Sequence, residues 1–203
     1  RPVPPAAGDP SPSWQTVQEL NGPWTLSFDP AWGTKETVTF DELFSWSEHS
    51  DPLVKYYSGT ATYRKVFVVP ESRVSEWQSR LSLDLGKVEV MARVTLNGKD
   101  CGIAWKPPYR VDVSHAVRAG ENRLEVAVIN TWVNRMIGDE HLPLDAKWKD
   151  WETLIEWPDW FKHGHPSPTG RYTFTSARHY QESSPLMPSG LIGPVILQTR
   201  RTP

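Results

Sequence analysis

Between residues 130 and 160 the chain interleaves indoles with side chains that hydrogen-bond to hydroxyl groups. Asn130, Trp132, Asn134, Arg135 and Asp139 come first, then Trp148, Asp150, Trp151 and Glu152, then Trp157 and Trp160. A sugar ring has one face of axial C–H groups that packs on an indole and a rim of hydroxyls that needs paired donors and acceptors, so a carbohydrate site requires this mixture. The same indoles can instead staple a long loop to the body of the protein, since aromatic residues dominate core energetics as well as interfaces. Residue types alone leave both accounts open. A second candidate is Trp105-Lys-Pro-Pro-Tyr109-Arg110, whose two prolines stiffen a loop and hold Trp105, Tyr109 and Arg110 in a fixed array. Tyr109 is also in phase with Val111 and Val113, which makes the core its competing place.

Other chemistry is less well supported. Glycoside hydrolysis needs two carboxylates about 5 to 10 Å apart across a cleft. Asp139, Glu140, Asp150, Glu152, Glu156 and Asp159 are available, but acidic residues are ordinary in an exposed loop. His163-Gly-His165 lacks the further Cys, His or carboxylate at defined spacing that marks a metal site. Cys101 is the single cysteine, which excludes an intrachain disulfide, and no C-x-x-C or nucleophile signature surrounds it. Neither G-x-G-x-x-G, Walker A nor G-x-S-x-G is present, so the usual cues for nucleotide binding and α/β-hydrolase chemistry are missing.

The elements that must position these residues are strands. Val88, Val90, Ala92, Val94 and Leu96 point one way, with Glu89, Met91, Arg93 and Thr95 between them, which predicts one half-buried strand over residues 88–96. It runs into Asn97-Gly98, a dipeptide suited to a type I′ hairpin turn, and returns over 99–104. The same period of two marks 81–85, 109–113 and 124–128, and further strands are predicted at 24–28, 37–40, 60–69, 171–177 and 195–198. Short helical turns are predicted at 40–46, 72–79 and 145–155. Short strands punctuated by Gly and Pro predict an all-β antiparallel sandwich, interrupted by a long irregular aromatic-rich excursion over about forty residues, 131–170.

Composition narrows the partners. The 203 residues carry 22 basic and 24 acidic side chains, a formal net charge of -2, which leaves no electrostatic footprint for nucleic acid or an anionic membrane. No apolar run approaches the roughly 20 residues of a membrane-spanning helix. Eleven Trp and 19 Pro point to aromatic surface and abundant loops. Residues 1–13, RPVPPAAGDPSPS, are expected to form a Pro-rich linker without a signal-peptide core, with the sandwich occupying 14–203.

The stretches Tyr57-Ser-Gly-Thr-Ala-Thr-Tyr63-Arg-Lys-Val-Phe67, Leu83-Asp-Leu-Gly86, Val94-Thr-Leu-Asn97-Gly98-Lys99, Tyr109-Arg-Val-Asp-Val113 and Ala119-Gly-Glu-Asn122 resemble the sugar-binding jelly roll of family 2 type glycoside hydrolases. Asn130-Thr-Trp-Val-Asn-Arg135-Met-Ile-Gly-Asp139 and Ser184-Pro-Leu-Met-Pro-Ser-Gly190-Leu-Ile-Gly-Pro-Val195 look more narrowly like the C-terminal β-sandwich of family 106 α-L-rhamnosidases. The resemblance implies a galactose-binding-like jelly roll attached to a larger, periplasmic or extracellular enzyme. Its partners would be a plant-type or rhamnose-containing glycan and the catalytic domain of the same parent chain, and no cofactor is required. Catalytic residues of such enzymes lie on a separate barrel, so none is carried over. Some relatives hold a structural Ca²⁺, for which no ligands are identified in this chain. The resemblance makes Trp132, Asn134, Arg135 and Asp139 a family motif that either contacts sugar or braces the loop.

Overall fold

The computed structural model describes residues 14–32, 37–77 and 80–200, so the linker expected at 1–13 lies outside the described residues. In chain order the elements are β1 (Trp14–Glu19), β2 (Trp24–Ser27), a 3-10 turn (Pro30–Trp32), β3 (Thr37–Phe40) and a 3-10 turn (Trp46–Glu48). Next come α1 (Pro52–Lys55), β4 (Thr60–Val69), α2 (Glu71–Trp77), β5 (Leu81–Asp84), β6 (Lys87–Glu89), β7 (Met91–Leu96) and β8 (Lys99–Ala104). The chain continues through β9 (Arg110–Asp112), β10 (Gly120–Ile129), α3 (Val133–Asp139), α4 (Asp159–Lys162), β11 (Gly190–Gly193) and β12 (Ile196–Arg200).

The strands form a six-stranded sheet in the order β3-β2-β4-β10-β7-β8, a four-stranded sheet in the order β1-β12-β5-β9, and a small β11-β6 pair. All these pairings are antiparallel. The spine is β4 against β10, in register from Thr60↔Ile129 to Val69↔Gly120. Alternation explains it: Ala61, Tyr63, Phe67 and Val69 face inward from β4, and Asn122, Leu124, Val126 and Val128 from β10. These join Leu81, Leu83 and Leu197 of the other sheet in one core, so the protein is the expected antiparallel sandwich. Each such Leu, Val or Phe contributes about 1.5–3 kcal/mol on full burial.

Two turns are locked by polar groups. Asn97 and Gly98 both have positive φ, 53° and 76°, as a type I′ turn between β7 and β8 demands. The Asn97 amide donates to the Ala116 carbonyl and to Asn122 Oδ1, at 2.9 and 2.8 Å, and its own oxygen accepts from the Arg123 amide. Fully buried Asn122 in turn donates to the carbonyls of Arg118 and Gly120. Two of the stretches that carry the family resemblance are therefore one hydrogen-bonded lock that sets where β7 and β10 turn.

Four local expectations are corrected. Residues 88–96 are two strands, because β6 pairs with β11 while β7 pairs with β10, and Val90 at the crossing is exposed rather than inward. Residues 171–177 form no strand, since the amides of Tyr172 and Thr173 bond to the Asp139 carboxylate instead of a ladder. Residues 145–155 form no helix, because the Asp150 carboxylate caps the amides of Glu152 and Thr153 in a turn and Trp148 bridges Leu154. The turn expected within 40–46 begins at Trp46. The helix expected at 72–79 is α2, its final residues lying outside the described ones.

Candidate functional site

The irregular segment runs from β10 to β11, residues 130–189, and is organised around buried charge. In α3, Asn134, Arg135 and Asp139 are all buried. Asn134 donates to the Met187 carbonyl at 2.7 Å and accepts from the Met187 amide at 2.8 Å, tying the two ends of the segment together. Arg135 Nε lies 3.1 Å from Asp139 Oδ1, a charge contact that misses hydrogen-bond alignment, and its guanidinium stacks between Tyr56 and Tyr172. Asp139 Oδ2 accepts from the Tyr172 amide, the Thr173 amide and the Thr173 hydroxyl, at 2.9, 2.7 and 2.7 Å. A buried carboxylate is tolerable only with such partners.

Glu140 is the next node. Its carboxylate holds Arg171 at 3.1 Å and Arg178 by a short contact, while Arg171 also donates to the carbonyls of Leu142 and Pro143. Arg178 lies 3.7 Å from the centre of the Trp151 ring, which fixes that indole. Half-buried Trp148 lines the adjoining cleft with Glu140 and Tyr180, and the space there, about 30 Å³, fits only a water or two.

Further along, Trp157 and Trp160 meet Phe161 and Phe174 in one aromatic cluster, with ring centres 4.4 to 5.9 Å apart. Trp160 Nε1 donates to the Asp145 carbonyl at 3.0 Å. Trp157 is 48% exposed and borders a cleft of about 240 Å³ lined also by Asp145, Lys147, Glu156, Asp159 and Trp160. Lys147 pairs with Glu156 at 2.8 Å, and Asp159 with Lys162 at 3.1 Å. Hydrogen bonds from these ammonium groups hold the carboxyls of Glu156 and Asp159 below the usual carboxylate range; amide and hydroxyl donors of Thr153 and Glu152 do the same for Asp150. Groups tuned that way stay ionised at neutral pH and are poor general acids.

The remaining candidates stand elsewhere. Trp132 is exposed at the N-terminus of α3. Arg110 pairs with Asp84 at 2.5 Å and covers the Trp14 ring, while Tyr109 is half-buried against the core. Trp105 is 64% exposed, with Lys106 5.0 Å from its ring centre. The Trp105, Tyr109 and Arg110 array thus divides, one residue outward and two toward the body. Trp105 follows directly on β8, at the edge of the six-stranded sheet, on whose outer face Ile129 pairs with Met91 while Ile103 of β8 pairs with Arg93, diagonal to Met91. Ile129, Met91, Ile103 and Trp105 are all exposed. Their signal in the sequence is an apolar residue at a position whose neighbours face the core.

Among the described residues no three His, Cys, Asp or Glu side chains converge as metal ligands. The rings of His163 and His165 stack 6.1 Å apart. Cys101 is half-buried, and burial pushes its thiol above the ordinary value. Its alkylation at pH 8 is expected to run slower than that of a free cysteine, with the midpoint of the pH–rate profile shifted upward; an unshifted profile from thiol-reagent kinetics contradicts this.

Known proteins resemble this chain in sequence and fold. The family model for the glycosyl hydrolase 2 galactose-binding domain-like family matches residues 30–164. A curated protein of Formosa agariphila named "Putative beta-glucuronidase" is 45% identical over 176 residues, covering 87% of this chain and 15% of that protein. A solved rhamnosidase from Novosphingobium sp. PP1Y superposes with a TM-score of 0.70 at 37% identity, covering 92% of this chain and 15% of that one. The β-D-glucuronidase of Dictyoglomus thermophilum, with a TM-score of 0.56 at 18% identity over 95% of this chain and 29% of that one, shares the fold. The chain thus spans a small part of the relatives it matches. Its sandwich and the match over more than half its length agree: the chain belongs to the glycosyl hydrolase 2 galactose-binding domain-like family.

Proposed function

We propose that this sandwich is an ancillary, non-catalytic domain of a larger glycoside hydrolase acting outside the cytoplasm, and that it docks on the remainder of that enzyme. One observation carries the reading: the outer face of the six-stranded sheet presents the paired Ile129 and Met91, and Ile103 diagonal to Met91, to solvent, with exposed Trp105 just past the end of the same strand as Ile103. Contiguous exposed apolar residues mark interaction surfaces. The occupant is the rest of the same polypeptide, since the relatives it resembles are several times longer than the matched part. A non-catalytic role is supported by the carboxylates of segment 130–189. Asp139 and Glu140 are committed to buried arginine contacts, and Asp150, Glu156 and Asp159 are held ionised. The Asn134, Arg135 and Asp139 motif supports bracing of the loop over sugar contact, because its polar atoms turn inward.

The test is to express the remainder of the encoded polypeptide separately and mix it with the 203-residue chain. A complex on size-exclusion chromatography, weakened at least about tenfold by Trp105→Ala or Ile129→Asp, is expected from the loss of a central anchor. Absence of any complex, or binding indifferent to both substitutions, refutes the docking face.

A further inference from the structure

The cleft beside Trp157 has the makings of a binding site and plays no part in docking. A hairpin-like turn holds its two walls: the Ile155 amide donates to the Lys147 carbonyl at 2.9 Å and the Lys149 amide to the Thr153 carbonyl at 2.9 Å. That places Lys147 and Glu156 on one rim, where their side chains pair. The other rim is α4, which carries Asp159 and Trp160. The floor is rigid, because Phe161 and Phe174 pack against Trp157, and Trp160 is tethered by its indole N–H to Asp145. A fixed, half-exposed indole binds a flat apolar face without losing rotamer freedom.

The rim is polar but not consumed. Exposed ion pairs such as Lys147 with Glu156 and Asp159 with Lys162 are worth little, so hydroxyl groups can take over their hydrogen bonds at small cost. Asp145 also borders the cleft and accepts from the Ser167 hydroxyl at 2.6 Å. Three carboxylates, of Asp145, Glu156 and Asp159, therefore line the space with the one ammonium group of Lys147, while Lys162 pairs with Asp159 without lining it. A ligand that carried its own carboxylate would meet a net negative rim, whereas uncharged hydroxyls would find both donors and acceptors.

From this geometry we propose that the cleft is a subsite for one neutral pyranose residue of a glycan, stacked on Trp157 with its hydroxyls bridging Lys147, Glu156 and Asp159. Its volume, about 240 Å³, suits one ring rather than a chain of them. The subsite is independent of the docking face, which uses other residues, so either can fail alone.

The experiment titrates the purified 203-residue chain with methyl glycosides of neutral hexoses and 6-deoxyhexoses and with the matching methyl uronosides, followed by tryptophan fluorescence and by NMR shifts of the indole N–H groups. Saturable millimolar binding of a neutral glycoside is expected, at least about fivefold tighter than its uronoside. Trp157→Ala should weaken it about tenfold or more. Because Trp157→Ala also disturbs the aromatic cluster, the exposed double variant Glu156→Gln with Asp159→Asn is a second reading: it should narrow the gap between neutral sugar and uronoside. No saturable response to any neutral glycoside overturns the proposal. So does equal or tighter binding of the uronosides, or a double variant with an unchanged preference.

Discussion

Asp139→Ala is expected to destabilise the protein by about 3–5 kcal/mol, because it leaves the Arg135 guanidinium buried without its counter-charge. In a protein of this size each kcal/mol lowers Tm by about 2–4 °C, so the thermal midpoint should fall by roughly 6–20 °C. Asp139 is 1% exposed and gathers Arg135, two backbone amides and a hydroxyl around one carboxylate. Removing it also frees residues 172 and 173, which have no strand ladder to fall back on. Amide hydrogen exchange should therefore accelerate most at Tyr172 and Thr173, while the β4–β10 spine changes in line with global stability alone. Asp139→Asn keeps an acceptor for the two amides and should lie between wild type and alanine. An unchanged Tm with unchanged exchange at 172 and 173 contradicts the bracing role.

Gly190→Ala is expected to cost at least about 4 kcal/mol, near the upper end of single substitutions. Gly190 has φ +96°, and a Cβ there would lie 2.6 Å from both Trp46 Nε1 and the Tyr63 hydroxyl. Those atoms cannot give way. Trp46 Nε1 donates to the Tyr63 oxygen at 2.6 Å, the Leu191 amide donates to the same oxygen at 2.9 Å, and both rings are fully buried. Burial also pushes the Tyr63 hydroxyl far above its ordinary pKa, so it stays a neutral acceptor throughout the usual pH range. Gly98→Ala is the control: its φ is +76°, but a Cβ would meet nothing within 4 Å, so only backbone strain of about 1–2 kcal/mol is added. Denaturant midpoints should rank wild type above Gly98→Ala and that well above Gly190→Ala. Equal losses for the two would mean that the Trp46–Tyr63 contact is not what excludes a side chain at 190.

What could be read in advance follows from periodicity. The strands over 60–69 and 99–104 lie where alternation and the Asn97-Gly98 turn put them, because a half-buried strand writes its inward face into every second residue. Where the chain changes sheets, at Val90, alternation carries no mark of the crossing. Within 130–189 no period exists at all. Residue types named the components, indoles, carboxylates and arginines, but nothing in their spacing says that Asp139 turns inward toward residue 173 or that Glu140 gathers Arg171 and Arg178 from more than thirty positions away.

The amino-acid sequence by itself determined the all-β sandwich, its main strands, the β7–β8 turn and the family, since these rest on local alternation, turn chemistry and contiguous motifs. Only the tertiary structure decided which aromatic residues face solvent and which polar residues are internal braces. It separated Trp105 from Tyr109 and Arg110, brought Met91, Ile103 and Ile129 to one face of the six-stranded sheet through strand register, and set Trp157 in an open cleft. The physical reason is that exposure of an irregular segment is settled by long-range hydrogen bonds and ion pairs, whose partners are distant in the chain and leave no local trace.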